Sequence, residues 1–276
     1  MIFLGIRKIL VINDNIYLIK KSAAEPVEYI DSQAFDAAKE KIIGKSHNDK
    51  GIGTLSEKTL HAVLKMYYEP DEDNHEVAID GYFADIYNEH GIIEIQTRQL
   101  NKLRDKLSVF LYEYQVRVVY PMPYEKYLSW IEPETGDITS RRKSPKRCSV
   151  YDAMFELYKI KAFLKNQNLK VTLLLIDMEE YKLLNGWSYD KKRGSVRYDR
   201  IPVGIRKIVE LDCPQDYMQF VPEGLEKNFT SADFANAAHI DRQTAASVLA
   251  MLNYMEQVKR VGKTGNAYIY DIEEHY

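Results

Sequence analysis

Apolar residues recur at regular steps through the first 120 residues, and their spacing predicts helices and strands in alternation. Steps of three and four residues, which place side chains on one side of a helix, occupy 31–43, the segment from 54 to Pro70, and 99–112. Alternation typical of strands occupies a hairpin at 6–20, three runs within 75–97, and 115–120, which Pro121 ends. This order predicts an α/β fold.

The second half of the chain continues this order. Residues 170–176 form a continuous apolar run, which predicts a strand inside a sheet. A hairpin over 127–138 and a helix over 151–166 precede it, and a polar, basic stretch at 179–207 follows it. Two prolines within 213–228 predict a linker. The expected domains are therefore 1–212 and 229–276.

Composition and charge exclude several classes of protein. Hydrophobic residues make up 45% of the chain, and 38 basic against 41 acidic residues give a net charge of −3, so overall charge does not attract nucleic acid. Two cysteines are too few for a zinc cluster or a disulfide framework, and they suit a reducing cytoplasm. No apolar stretch is long enough to span a bilayer. We therefore expect a soluble cytoplasmic protein with no membrane partner.

Two acidic residues on neighbouring predicted strands are the strongest candidates for chemistry. Asp85 and Glu94 flank the turn at 88–91, so a hairpin brings them together across the strand pair. Like charges in this position repel each other unless a cation lies between them, and carboxylate oxygens are ligands that suit Mg²⁺. The alternative is that both are solvent-facing residues of an ordinary antiparallel hairpin.

This arrangement resembles the PD-(D/E)XK nuclease superfamily over residues 54–120. In that family one acid lies on the second core strand, an acid-X-Lys motif lies on the third, and a further Glu lies on the preceding helix. Asp85 and Glu94 match the two strand acids, and Glu57 matches the helical one. The resemblance implies a restriction-endonuclease-like fold, in which helices flank a mixed sheet core.

The resemblance also implies a metal-dependent mechanism. Asp85 and Glu94, with the backbone carbonyl of Ile95, hold one or two Mg²⁺ or Mn²⁺ ions, which lower the pKa of a bound water and stabilise charge on the scissile phosphate. Glu57 binds a second metal or orients the water. Gln96 occupies the lysine position of the motif, where it hydrogen-bonds water or phosphate without carrying charge. The residues expected to replace that positive charge are Lys102 and Arg98, and those expected to contact the phosphate backbone are Gln99 and Lys102.

A second resemblance covers residues 229–272. A short helix, a turn, a long helix and two strands around a glycine turn follow one another there, and this order resembles the winged-helix family. The resemblance implies that the second helix presents Arg242, Gln243 and Thr244 to base edges or phosphates, and that Lys263 lies on the wing. The alternative is a module that contacts only proteins or forms a homodimer.

Five basic residues fall within the seven positions 141–147, which makes this run the best candidate for a phosphate-binding patch. They are Arg141, Arg142, Lys143, Lys146 and Arg147. The alternative is an exposed surface loop without a ligand.

Together these features predict a metal-dependent nuclease that hydrolyses phosphodiester bonds in DNA. The winged helix binds substrate or a partner. Two alternatives stay open: a non-catalytic nucleic-acid-binding or regulatory protein that keeps the nuclease fold, and a winged-helix dimerisation or interaction protein.

Overall fold

A computed structural model describes residues 9–12, 15–18, 30–48, 59–187 and 193–273. The strands are β1 (Ile9–Ile12), β2 (Asn15–Leu18), β3 (His75–Ile79), β4 (Tyr82–Asn88), β5 (Gly91–Ile95), β6 (Val116–Ile131), β7 (Arg142–Lys143), β8 (Leu169–Trp187), β9 (Arg193–Leu211), β10 (Phe229–Thr230), β11 (Val258–Thr264) and β12 (Ala267–Ile272). The helices are α1 (Ser32–Asn48), α2 (Thr59–Tyr68), α3 (Arg104–Glu113), α4 (Met154–Leu157), α5 (Ser231–Ala238) and α6 (Arg242–Tyr254). Short 3₁₀ helices lie at Glu72–Asn74, Leu100–Leu103, Val150–Ala153, Tyr158–Phe163 and Pro214–Phe220.

A mixed sheet of seven strands forms the centre of the molecule. Its order is β3-β4-β5-β6-β8-β9, and β7 pairs with β6 outside this path. The first three strands are an antiparallel meander, β5, β6 and β8 run parallel, and β9 returns antiparallel to β8. The predicted α/β fold with a mixed sheet is confirmed. The predicted N-terminal hairpin is also confirmed, because β1 pairs antiparallel with β2.

Helices cover both faces of the sheet, and successive residues of a strand contribute to different apolar clusters. On one face α1 and α2 bury Phe35 and Leu64 together with Ile95 of β5. On the other face Leu107 and Phe110 of α3 pack in a larger cluster that also contains residues of α4. This alternation separates Ile92 and Ile95 of β5 and sets the direction in which the polar residues between them point.

Strand β6 is longer than the prediction, which ended it at Pro121. Pro121 and Pro123 pair in the parallel ladder with β8. The last β5 partner on the other side is Val119, which pairs with Ile95. Up to Pro123, residues of β6 with odd numbers direct their backbone groups away from β8, since Val119 O accepts from Gln96 N and Pro123 O accepts from Cys148 N. The prolines therefore lie where a missing N–H costs no ladder hydrogen bond, as at a sheet edge.

The polar stretch at 179–207 lies in a long pair of strands, β8 and β9. Strands β8 and β9 each have 19 residues and pair antiparallel from Val171↔Leu211 to Trp187↔Arg193, with several register shifts. The predicted strand at 170–176 is the inner part of β8. The predicted helix at 151–166 is divided into α4 and the two 3₁₀ helices beside it.

The C-terminal elements follow the predicted order. A three-stranded sheet with the order β10-β12-β11 lies against α5 and α6. Thr230 caps α5 in a capping box with Asp233. Within the segment predicted as a linker, Tyr217 and Phe220 are buried in the same cluster as the main sheet. None of the helices in the described ranges has the length and hydropathy needed to cross a membrane.

Candidate functional site

The two candidate acids lie where β4 and β5 separate. The pairing of these strands extends from Asn88↔Gly91 to Ile86↔Ile93, and Asp85 and Glu94 are the next residues on each strand. Asp85 Oδ2 accepts a hydrogen bond from the backbone N of Ile95, at 2.7 Å, so its carboxylate lies between the two strands. The backbones of Asp85 and Glu94 thus lie side by side, while the sharing of one ion by their side chains stays a prediction.

Glu94 is buried and paired with a lysine of α3. Only 2% of its side chain is exposed, and Lys106 Nζ lies 2.9 Å from Oε1 and 2.8 Å from Oε2. Burial raises the pKa of Glu94 to about 7, and the neighbouring charge of Asp85 acts in the same direction. Lys106 opposes this shift without cancelling it. The surroundings of Glu94 therefore disfavour its charged form.

The pKa of Asp85 is shifted in the opposite direction. Burial disfavours its charged form, but His61 Nε2 on α2 lies 3.1 Å from Oδ2 and, with the Ile95 N–H, outweighs that effect. The pKa of Asp85 is therefore held below its usual range. Two adjacent carboxylates with pKa values shifted apart are a common feature of acid–base and metal sites.

The fit of a metal ion to these residues is partial. Carboxylate oxygens are suitable ligands for Mg²⁺, but Lys106 contacts both oxygens of Glu94. Within 59–187 and 193–273, no group of three or more His, Cys, Asp or Glu side chains is arranged to hold a metal. Glu57, the predicted third acid, lies outside the described residues. In this structure the ammonium of Lys106 thus neutralises Glu94 in the place expected for a metal ion.

The side chain of Gln96 makes its hydrogen bonds in the loop before α3 and not with Asp85 or Glu94. Its side-chain amide donates to the backbone carbonyl of Arg98, and its backbone N donates to Val119 O at 3.0 Å. Because the amide is used in the loop before α3, the predicted contact of Gln96 with water or phosphate needs a different arrangement of that loop. Ile95 meets Asp85 through its N–H, and the ligand role of its carbonyl stays a prediction.

The predicted substitute cation, Lys102, is exposed in the 3₁₀ helix at Leu100–Leu103, and no contact joins it to the acids within the described ranges. The cation that reaches Glu94 is Lys106, four residues later. A signal for it exists in the sequence, because Lys106 falls on the side of α3 that also carries the buried Leu107 and Phe110. A lysine at such a position needs an acidic partner.

The basic run at 141–147 is partly neutralised. Lys143 Nζ lies 2.8 Å from Glu125 Oε1, and Arg147 contacts the same oxygen. Arg141 pairs with Glu179 at 3.2 Å and lies over the Tyr127 ring. The two remaining members, Arg142 and Lys146, are exposed, with no carboxylate partner in the described part of the chain.

The predicted base-reading residues of α6 are not equivalent. Thr244 is 7% exposed, and its hydroxyl donates to Asp241 Oδ2 at 2.6 Å as part of the helix cap. The Thr244 hydroxyl is therefore used inside the protein, and its contact with bases stays a prediction. Arg242 and Gln243 are exposed at the helix start, and Lys263 lies on β11 with Nζ 4.6 Å from the Tyr268 ring centre.

Comparison with known proteins adds a family and one relative. A protein of Treponema pallidum (strain Nichols), described as "Uncharacterized protein", is 30% identical over 167 residues, which are 60% of this chain and 64% of the relative. This chain thus aligns with less than two thirds of the relative's length. No solved structure matches. The model of a family described as "Domain of unknown function (DUF8091)" matches residues 58–212, a range that contains Asp85, Glu94 and Lys106, and the chain therefore belongs to this family.

Proposed function

We propose that this protein is a metal-dependent nuclease that hydrolyses phosphodiester bonds in DNA. The proposal includes a restriction-endonuclease-like core and a C-terminal winged helix that binds the substrate or a partner. The order of α2, the meander β3–β5, α3 and the parallel pair β5–β6 supports the core assignment. The order of α5, α6, β11 and β12 supports the winged helix.

The observation that carries the proposal is the contact of Lys106 with Glu94 beside Asp85. An acid, a second acid and a lysine are the components that the motif requires, and the sequence lacks the lysine at Gln96. Lys106 supplies that charge from α3, at 2.8 Å from Glu94. The catalytic set in the proposal is therefore Asp85, Glu94 and Lys106.

Each of these residues has a distinct role. Asp85 and Glu94 would hold the Mg²⁺ or Mn²⁺ ion, and His61 orients the Asp85 carboxylate. The ion, when bound, supplies a water of lowered pKa and stabilises charge on the phosphate. Lys106, which contacts both oxygens of Glu94 here, would have to give up one of them to the ion, and its ammonium would then bind the phosphate as a point charge.

The second candidate function is non-catalytic nucleic-acid binding. The observation in its favour is the burial of Glu94, whose side chain is 2% exposed and whose two carboxylate oxygens both contact Lys106. A binding protein of this kind retains DNA equally in EDTA and in Mg²⁺, whereas the nuclease cleaves only with the metal.

Cleavage of plasmid DNA in Mg²⁺, in Mn²⁺ and in EDTA tests the proposal. We expect metal-dependent cleavage by the wild type and a reduction of about 100-fold or more in Asp85→Asn and in Lys106→Met, because each removes charge that acts on the transition state. Thermal unfolding shows whether each variant is folded.

Glu94→Gln needs a matched control, because it leaves Lys106 buried without its partner. The double variant with Lys106→Met removes both charges, so it separates loss of catalysis from loss of folding. Wild-type cleavage by a folded Asp85→Asn protein contradicts the assigned roles. Absence of cleavage with either metal, together with DNA binding that EDTA does not change, selects the binding function.

A further inference from the structure

A surface groove lies between α6 and the helical residues 154–163. It consists of two adjoining cavities of about 580 Å³ and about 390 Å³, and Tyr158 lines both. Tyr254 lines the larger cavity and Ala250 the smaller one, and these residues are four apart on α6, so they share one side of the helix. The groove therefore follows α6 from Gln243 to Tyr254, over which the helix axis rises by about 16 Å.

The part of the groove near the start of α6 is apolar. Met154 and Phe155 line one side, Ala246 and Ala250 line the other, and no residue that lines this part carries a charge. Phe155 is 42% exposed and Tyr158 is 54% exposed, which are high values for aromatic side chains. An exposed apolar strip with small residues on one side is typical of a surface that contacts another molecule.

The part of the groove near the end of α6 is positively charged. No acidic residue lines it, and three cations do: Arg104, Lys159 and Lys161. Lys159 forms an ion pair with Glu156 on the preceding turn, so its charge is compensated. The other two cations have no carboxylate within ion-pair distance among the described residues.

Arg104 and Lys161 are nevertheless held in position. Arg104 Nε donates to the backbone carbonyl of Lys159 at 2.6 Å, while its two Nη groups make no hydrogen bond within the described ranges. Lys161 Nζ lies 5.0 Å from the ring centre of Tyr158 and 4.2 Å from that of Tyr254. Neither a carbonyl nor an aromatic ring removes the positive charge, so both cations stay available to an anion.

We propose that this groove binds an acidic amphipathic segment of a partner protein. Carboxylates of the segment contact Arg104 and Lys161, and its apolar side chains cover Phe155 and the small residues of α6. A guanidinium with free Nη groups suits a carboxylate, because it can bind both oxygens at once. The binding site is separate from Asp85 and Glu94 in the proposal and does not rest on the nuclease function.

The distribution of charge favours a protein segment over a nucleic acid. A nucleic-acid strand carries a phosphate at every nucleotide and is bound by cations along its path. In this groove the cations line one part only, and the other part is uncharged. An amphipathic peptide, in contrast, can place acidic residues at one end and apolar residues at the other.

Selection of random peptides on the full chain tests the proposal. Phage-displayed peptides of about twelve residues are long enough to span the groove. We expect enriched sequences to combine Asp or Glu with aliphatic or aromatic residues. Fluorescence anisotropy of a labelled selected peptide then measures its affinity for the wild type and for variants.

Charge variants and one apolar variant locate the bound peptide. Arg104→Gln and Lys161→Gln should each weaken binding about tenfold, as for the loss of a charged hydrogen bond, whereas Lys161→Arg keeps the charge and should bind nearly as the wild type does. Ala246→Glu should also weaken binding, because it places a carboxylate in the apolar part. Ala246 is exposed on α6, so this variant should fold normally.

Lys41→Gln is the matched control for overall charge. It removes one positive charge from α1, where Lys41 pairs with Glu72, and should leave the affinity for the peptide unchanged. Thermal unfolding shows whether each variant is folded. Failure to enrich acidic peptides on the wild type overturns the proposal, as does equal affinity of the selected peptide for the wild type, Lys161→Gln and Ala246→Glu.

A labelled single-stranded oligonucleotide, measured in EDTA, tests the other class of ligand. If it binds the wild type and loses affinity in Arg104→Gln and Lys161→Gln, while no acidic peptide is selected, the groove is a nucleic-acid site and the peptide proposal is rejected. The nuclease proposal is judged separately, by cleavage in Mg²⁺. Peptide binding that depends on Lys161 supports the groove even when the wild type cleaves no DNA.

Discussion

Glu94 is buried, carries an acidic group and belongs to the proposed catalytic set. Its carboxylate lies on the α3 side of the sheet, next to Asp85, and depends on Lys106 for compensation. A buried acid with this environment gains a proton more readily than an exposed one. Its protonation state therefore contributes to the stability of the fold as well as to any metal binding.

The raised pKa of Glu94 predicts that the difference in stability between the wild type and Glu94→Gln depends on pH. When the pKa of a group is higher in the folded than in the unfolded chain, its protonation stabilises the fold. For Glu94 this contribution is complete when the pH is below the usual pKa of 4.5, and it is lost as the pH rises through about 7. The stability of the wild type relative to Glu94→Gln should therefore decrease between about pH 5 and pH 8. Calorimetric unfolding of both proteins over this range measures it, and a difference that is constant or increases with pH contradicts the assignment.

Individual side chains differ in how far their sequence pattern predicts them. Asp85 and Glu94 follow from strand alternation and a short turn, which are local. Lys106 depends on the angle between α3 and the sheet, and the sequence pattern gives only the apolar neighbours on that helix. The ion pair of Glu180 with Arg197 depends on the path of a 19-residue strand with several register shifts, which no local pattern specifies.

At the scale of elements, the periodicity predicts most helices and strands, and the departures have identifiable causes. A proline usually ends a strand, but β6 continues past Pro121 because it stays paired with β8, while its pairing with β5 on the other side ends at Ile95. The polar residues at 179–207 obscure the long β8–β9 pair, since ion pairs such as Glu180 with Arg197 replace apolar contacts there.

Gly91 at the start of β5 predicts a sharp decrease in stability on substitution. It has φ +108°, and an added Cβ would overlap the carbonyl oxygen of Gln115, which also accepts from Ile92 N at 2.8 Å. Gly91→Ala should cost on the order of 3 kcal/mol of unfolding free energy, measured by urea denaturation.

Gly81 provides the matched control for this prediction. It has φ +84°, but nothing lies within 4 Å of an added Cβ. Gly81→Ala should therefore cost about 1 kcal/mol, from backbone strain alone. Equal destabilisation of the two variants would show that the contact with Gln115 is unimportant.

At the scale of the whole molecule, one apolar cluster joins the main sheet to the C-terminal elements. Tyr151 lies between them, with its ring centre 6.3 Å from those of both Phe220 and Phe234. Phe220 belongs to the segment predicted as a linker, so aromatic side chains make that segment part of the packed interior. The division into two sequence domains stays a prediction, while the packing connects them.

This shared cluster predicts cooperative unfolding. Calorimetry of the full chain should give a single transition with equal calorimetric and van't Hoff enthalpies, because neither part can lose its structure without exposing the cluster. Tyr151→Ala should lower the temperature of that single transition. Two separate transitions in the wild type would show that the C-terminal elements unfold independently.

Pro121 and Pro123 have a consequence for how the sheet can vary. Their rings occupy the backbone nitrogens that face the gap left by β5, so this edge of β6 lacks the donors that another parallel strand would need there. The end of the β5–β6 pairing, at Ile95 and Val119, is thereby reinforced by covalent geometry. Changes of interior side chains leave this limit on the sheet in place, provided that imino acids stay at both positions.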